Sequence, residues 1–273
     1  MVKNNSSELI VATANTHASR MLDDTDGLKP IVDAGVGVLL LQEVLGKSRP
    51  ETEDRLAHDG FNLVNFAGEL GLAIAVNDEV ASNYNIGAHE ITRIHAPTHL
   101  ESMAKRLKIV GSHRLRDRGI LKTSLSNDTV ESIIVATTHP IVFARFISRG
   151  KQIQAIQKYF LDVPGNPPAI SESSDAPRLI LGGDMNHYPS PRRVDLRMQA
   201  ALGLQRVVLD RKSWPITGSR HEWMARIGKI ATGSLEAFDA ELDALLYRGV
   251  EEVSTTVVDV ESDHRAIIST FEV

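Results

Sequence analysis

An α/β fold is predicted by two features of this sequence. Apolar runs of strand length recur from one end to the other, and clear amphipathic helical spacing occurs only in the intervals between them. No tandem repeat or low-complexity tract interrupts that rhythm. The strand-like runs cover residues 9–14, 36–41, 72–76, 132–138, 178–182, 243–248 and 264–270. The best helix lies between Arg145 and Leu161, where Ile153, Ile156, Phe160 and Leu161 fall on one face and Pro164-Gly165-Asn166-Pro167-Pro168 stops it. Residues 164–177 read as a loop leading into the next strand, since the stretch is short and runs directly into core sequence. A further helix is expected from Ser190, as N-cap, through Pro191 at the first helical position to Leu202.

Composition narrows the functional classes. At 273 residues and 42% hydrophobic content the chain can bury a sizeable core, and one domain spanning residues 1–273 is expected. No stretch is apolar enough to cross a bilayer, and the first residues lack the apolar segment of a secretory signal, so a cytoplasmic location and no membrane contact are expected. The absence of cysteine excludes disulfides, thiolate metal sites and a cysteine nucleophile, so any metal must use oxygen or imidazole ligands. A formal charge of -5 argues against an overall electrostatic grip on nucleic acid but says little about one face. No obligate protein partner is evident.

Polar clusters sit where the apolar runs end. Asn15 follows Leu9 to Ala14, Glu43 follows Val38 to Gln42, and His139 follows Ile133 to Thr138. Asp184 and Asn186 follow Leu179-Ile180-Leu181, with Gly182 and Gly183 expected to turn the backbone sharply beyond the strand. Asp243 opens the run to Tyr247, and Asp263-His264 precedes Ala266-Ile267-Ile268. Any one of these polar residues has an ordinary reading as a turn former or helix cap. Asp243 is the exception, because a carboxylate at the edge of an apolar run needs a partner once buried, and histidine is the natural one. Acid, amide and imidazole groups gathered at one sheet rim are what hydrolysis of an anionic ester requires.

Gln42-Glu43-Val44, Thr138-His139-Pro140, Gly182-Gly183-Asp184-Met185-Asn186, Leu242-Asp243 and Ser262-Asp263-His264, in this order, resemble the motifs of the endonuclease/exonuclease/phosphatase superfamily, on its deoxyribonuclease I-like side. The resemblance spans nearly the whole chain. It implies a four-layer α/β/β/α sandwich, in which two mixed β-sheets are flanked by helices and carry the site at one edge. It further implies Mg2+ or Mn2+ held by Glu43 with Asn15 and Asp263. Asp184 would position or deprotonate the attacking water, and Asn186 would hydrogen-bond a phosphate oxygen. His264, oriented by Asp243, would contact the scissile phosphate or act as base, so Asp184 and His264 are both candidates for that role. His139 would be a general acid or phosphate ligand. The position two residues after Asn15, where part of the family carries a further acidic or polar residue, is His17.

Substrate class rests on the flanks. The stretch from His95 to Arg118 is the most basic of the chain, and Arg118 and Arg145 are the candidate phosphate contacts. Trp214 and Trp223 precede Asp243 in a long connection and are expected to anchor a loop or to stack on a base. The favoured expectation is a metal-dependent nuclease cutting DNA, with RNA as a side substrate, by in-line attack of an activated water. The competing expectations are a phosphatase or phosphodiesterase for small or lipid esters and a catalytically inactive binding module.

Overall fold

Leucine, isoleucine and valine occupy consecutive positions in the apolar runs because both faces of their strands are covered. The computed structural model of the protein describes residues 8–87, 89–95, 118–130, 132–140, 154–156, 158–160, 177–185, 199–200, 202–213 and 242–273. The chain opens with β1 (Glu8–Asn15), the short helices α1 (Arg20–Asp23) and α2 (Lys29–Asp33), and β2 (Val38–Gln42). Helix α3 (Arg49–His58) leads into β3 (Phe61–Ala67) and β4 (Leu72–Asn77). After α4 (Asp78–Asn83) come β5 (Asn85–Ile86), β6 (Glu90–His95), β7 (Arg118–Ser126) and β8 (Ile133–Thr138). Then follow β9 (Arg178–Asp184), β10 (Gln205–Arg206), β11 (Asp243–Arg248), β12 (Glu251–Val258) and β13 (Ala266–Glu272).

These strands form two mixed sheets. One has six strands in the order β12-β13-β1-β2-β4-β3, and the other has seven, ordered β10-β11-β9-β8-β7-β5 with β6 beside β7. The sheets face one another. Leu9, Val11, Val38, Leu40 and Ile74 of the first pack with Leu121, Val135, Ile180 and Leu245 of the second in a fully buried central layer. The alternate residues Ala12, Ala14, Leu39 and Leu41 point outward beneath Met21, Leu22, Ile31 and Leu56 of the helices. On the far side Leu179, Leu181 and Ala136 pack with Ile156 and Leu202, which lie in helical segments. Helix, sheet, sheet, helix is the layering the family resemblance implied, and it explains why period-two alternation was invisible in the central strands.

Each central run of the sequence became a strand, but several strands carry no continuous apolar run. The β3 sequence alternates in burial along its length, and β12 is a mostly exposed edge strand. Helix α3 is set by a capping box, with Ser48 accepting from the Glu51 backbone and Glu51 reaching back to the Ser48 N–H.

The glycine pair is used differently from the sequence expectation. Gly182, Gly183 and Asp184 are all still within β9. A Cβ on Gly182 would stand 2.8 Å from Thr13 and from Leu40 Cδ1 of the opposite sheet, and one on Gly183 would collide with the Thr138 carbonyl. The glycines therefore permit close approach of sheets and strands, and no turn is made there. The expected helices over 145–161 and 190–202 are described only in part, being helical at 154–156, 158–160, 199–200 and 202. Ser190, Pro191 and most of the basic stretch 95–118 lie outside the described residues.

Candidate active site at one rim of the two sheets

Strand direction gathers the polar clusters. β1 and β2 run parallel and end together at Asn15 and Gln42, and β8 and β9 run parallel with Thr138 opposite Gly183. β11 is antiparallel to β9, so its first residue, Asp243, lies opposite the last residue of β9, Asp184. β13 is antiparallel to β1, which brings the preceding residues Ser262, Asp263 and His264 to the same rim. Ser262 fastens this approach by donating its hydroxyl to the Asn15 carbonyl at 2.7 Å and accepting from the His264 N–H at 3.2 Å.

The deepest part is a buried carboxylate and imidazole cluster. His264 Nδ1 lies 2.8 Å from Asp243 Oδ2, and its Nε2 is 3.8 Å from Asp184 Oδ2. Asp184 Oδ2 also accepts from Asn15 Nδ2 at 2.9 Å and has His139 Nε2 at 3.3 Å. Behind Asp243, the wholly buried Ser213 accepts the Asp243 N–H at its hydroxyl oxygen at 3.1 Å, and its carbonyl accepts the Arg265 N–H at 2.7 Å. Burial alone would strip His264 of its proton, but the facing Asp243 and Asp184 carboxylates outweigh this and raise its pKa to about 10. Burial would likewise raise Asp184, yet the His264 and His139 imidazoles and the Asn15 amide hold it well below the usual carboxylate range. In the ligand-free protein the proton therefore resides on His264 and Asp184 is ionised.

The shallower part surrounds Glu43. Its Oε2 accepts the Ala18 N–H at 3.2 Å, and its Oε1 is 3.9 Å from His139 Nε2. Asp263 Oδ1 is 3.1 Å from His17 Nδ1, and the His17 N–H donates to Asn15 Oδ1 at 2.9 Å. His17, Ala18, Ser19 and Glu43 all adopt left-handed backbone, with φ of 49, 55, 70 and 57°. Such conformations cost non-glycine residues about 1–3 kcal/mol each and cluster where geometry is dictated by a site.

The whole chain has counterparts of this architecture. An endonuclease/exonuclease/phosphatase family protein from Bacteroides thetaiotaomicron superposes with a TM-score of 0.61 at 12% identity, covering 98% of each chain. ANGEL2, described as a 2′,3′-cyclic phosphatase, gives 0.58 at 14% identity over 98% of this chain and 96% of that one. The inositol polyphosphate 5-phosphatase domain of SPSynaptojanin, solved with inositol (1,4)-bisphosphate and a calcium ion, gives 0.56 at 16% identity over 98% and 84%. This chain has the endonuclease/exonuclease/phosphatase fold. No protein-family model matches the sequence, and no curated protein does.

In this endonuclease/exonuclease/phosphatase fold, Asn15, Glu43, His139, Asp184, Asp243, Asp263 and His264 all come to one rim. Arg118 comes there too but is buried, with Nη1 2.8 Å from His139 Nδ1. Asn186, Arg145, Trp214 and Trp223 lie outside the described residues. Among the described residues, Asp184, Asp243 and His264 form a group whose ligating atoms lie within 4.8 Å of one another and can hold a metal ion. That group differs from the expected set of Asn15, Glu43 and Asp263, which offers oxygen donors only, as Mg2+, Mn2+ and Ca2+ favour. A protonated imidazole is a poor neighbour for a further cation.

Two supporting residues were not singled out from sequence. Ser213 is one, with no strand or motif around it to mark it. Gln42, quoted in a motif but given no role there, is the other, fully buried between the sheets, with Nε2 contacting Thr13 Oγ1 at 3.1 Å, the Leu40 carbonyl at 2.9 Å and Thr137 Oγ1 at 2.8 Å. It locks β2 to β1 and β8 directly beneath Glu43. A polar residue ending an apolar run was the available signal.

Proposed function

We propose that the protein is a divalent-cation-dependent phosphodiesterase, acting as a nuclease on DNA with RNA as a side substrate. The observation carrying this reading is the convergence of Asp243–His264, Asp184, Asn15 and Glu43 on one sheet rim, with ionised Asp184 beside a protonated His264. A bound Mg2+ or Mn2+ would supply Lewis-acid stabilisation of charge on a phosphoryl oxygen. Glu43 and Asp263, with the Asn15 side-chain oxygen Oδ1, are the groups that would hold it.

The chain's own groups divide the remaining work. Asp184, fixed by Asn15, orients the attacking water and receives its proton as the oxygen bonds to phosphorus and the opposite ester P–O bond breaks, the leaving oxygen taking a proton from solvent water. A carboxylate held so far below its usual range is a weak base, so orientation is its larger contribution. His264 keeps its proton at neutral pH, which removes it as the base. Its Nε2–H stabilises the extra charge on the phosphoryl oxygens, while Asp243 fixes the ring through Nδ1. The sheltered rim strengthens each of these interactions. The basic stretch of residues 95–118 supports a polyanionic substrate.

The test uses purified protein with plasmid, single-stranded DNA, RNA and bis(nitrophenyl) phosphate, each with Mg2+, Mn2+ or EDTA. Cation-dependent cleavage of nucleic acid that disappears in Glu43→Ala and His264→Ala is the expected result. Turnover of the small ester alone would replace the nuclease reading with a phosphodiesterase for small esters, consistent with phosphatases among the proteins of similar fold. No turnover of any substrate would favour a binding module.

A further inference from the structure

We infer that Arg118 is a positioning residue that fixes the tautomer of His139, making this histidine a hydrogen-bond donor at Nε2 and removing it from proton transfer. The register of the second sheet sets up the pair. Ile120 of β7 lies opposite Thr138 of β8, so the two chains reach the rim side by side with Arg118 next to His139. The Thr138 hydroxyl donates to the Gly119 carbonyl at 2.9 Å and fixes that junction. A side chain larger than hydrogen is excluded at Gly119, where a Cβ would stand 2.8 Å from the Thr92 carbonyl.

The chemistry of the contact then leaves one arrangement. Arg118 Nη1 lies 2.8 Å from His139 Nδ1, and both side chains are buried, with Arg118 5% and His139 1% exposed. A guanidinium has only N–H groups and no acceptor, so Nδ1 must present its lone pair and the ring proton must sit on Nε2. Nε2 faces the acidic side of the rim, 3.3 Å from Asp184 Oδ2 and 3.9 Å from Glu43 Oε1. It makes no aligned hydrogen bond among the described residues. Its N–H is therefore aimed at the place where an anionic oxygen is handled, while its only lone pair is spent on Arg118. Most active-site histidines are oriented by a carboxylate or carbonyl at the remote nitrogen, as Asp243 orients His264, and that arrangement raises their basicity. At His139 the remote nitrogen instead faces a donor, so Nδ1 is the acceptor.

This inference rests on the proposed phosphodiester site for its kinetic consequence but not for its spectroscopic one. The experiment is a two-bond 1H–15N correlation spectrum of histidine-labelled protein at neutral pH in EDTA, with His139 assigned from the signals missing in His139→Gln. The expected spectrum has His139 protonated at Nε2 only. In Arg118→Met the signal should move toward a mixture with the Nδ1–H form, and Arg118→Lys, which also only donates, should restore it. A wild-type Nδ1–H ring, or an Arg118→Met spectrum unchanged from wild type, would overturn the inference. If Arg118→Met does not fold, wild type and Arg118→Lys decide it. The kinetic arm compares His139→Gln, which keeps a donor and loses acid–base capacity, with His139→Ala. Removing the donor should cost about 10²–10³-fold in kcat, and the glutamine should recover most of that loss with KM little changed. Equal losses in the two variants would assign His139 to proton transfer and sink the idea. Should wild type turn over no ester at all, the proposed function fails while the spectrum still decides the tautomer.

Discussion

Asp184, Asp243 and His264 form a dry corner in which the side chains are 3%, 1% and 8% exposed, whereas Glu43, His17 and Asp263 across the rim are 29%, 20% and 24% exposed. The dry corner hangs on regular β-strands and strongly shifts the protonation of its members. The open side hangs on consecutive left-handed residues instead, with Glu43 itself at φ 57°. The difference teaches a division of labour. Burial lets a few charges polarise one another strongly, so that corner suits chemistry. Exposure lets an incoming ion exchange its hydration water for carboxylate oxygen, which is the part proposed for that side.

The largest effect should separate the two sides kinetically. Asp184→Asn is expected to lower kcat by about 10²–10⁴-fold while substrate binding, followed by fluorescence anisotropy with labelled DNA, survives. A near-normal rate would remove Asp184 from the mechanism. Glu43→Ala should instead weaken cation binding, read by isothermal titration with Mn2+, and equal Mn2+ affinity in the two variants would erase the distinction between the sides.

Stability should separate them next. Asp243→Ala leaves a buried imidazolium without its partner and is expected to cost about 3–5 kcal/mol in urea unfolding. Glu43→Gly should act in the opposite direction, because glycine relieves the left-handed backbone and gains up to about 1–3 kcal/mol while cation binding is lost. A glycine variant less stable than wild type would show that the Glu43 conformation is not strained.

The corner should also carry a pH signature. His264 has its pKa raised from 6.5 to about 10 in the folded protein. Its contribution to stability is therefore complete below about pH 6.5 and is lost as pH rises through 10. Tm measured between pH 7 and 10 should fall in wild type and fall less in His264→Gln. Parallel curves would mean that His264 titrates at its ordinary value. The smallest effect belongs to neither side: Ser48→Ala removes the α3 cap and should cost about 1 kcal/mol with kcat unchanged.

Much of this was legible from residue order. Glu43, His139 and Asp184 are each marked by an apolar run ending at a polar residue, and Asp243 by the improbability of an unpartnered buried carboxylate. Strands β3 and β12 were not legible in that way, because one alternates and the other is an exposed edge. The capping box of α3 is written in Ser48-Arg49-Pro50-Glu51, but the helix behind it has few apolar residues to announce it. The roles of Gly182 and Gly183 could not be read from local sequence, since the same dipeptide serves equally for a turn or for close approach.

What the sequence determined by itself is the alternation of buried strands and the chemical types at their ends, because hydrophobic burial and backbone geometry act within a few residues. The tertiary structure decided which of those ends meet. The parallel pairs β1–β2 and β8–β9 and the antiparallel β11 and β13 bring distant residues onto one rim. Only there does Asp243 find His264, and only there does Arg118 meet His139. Protonation and tautomer follow from those contacts, because they depend on charges a few ångströms away in space and hundreds of atoms away along the chain.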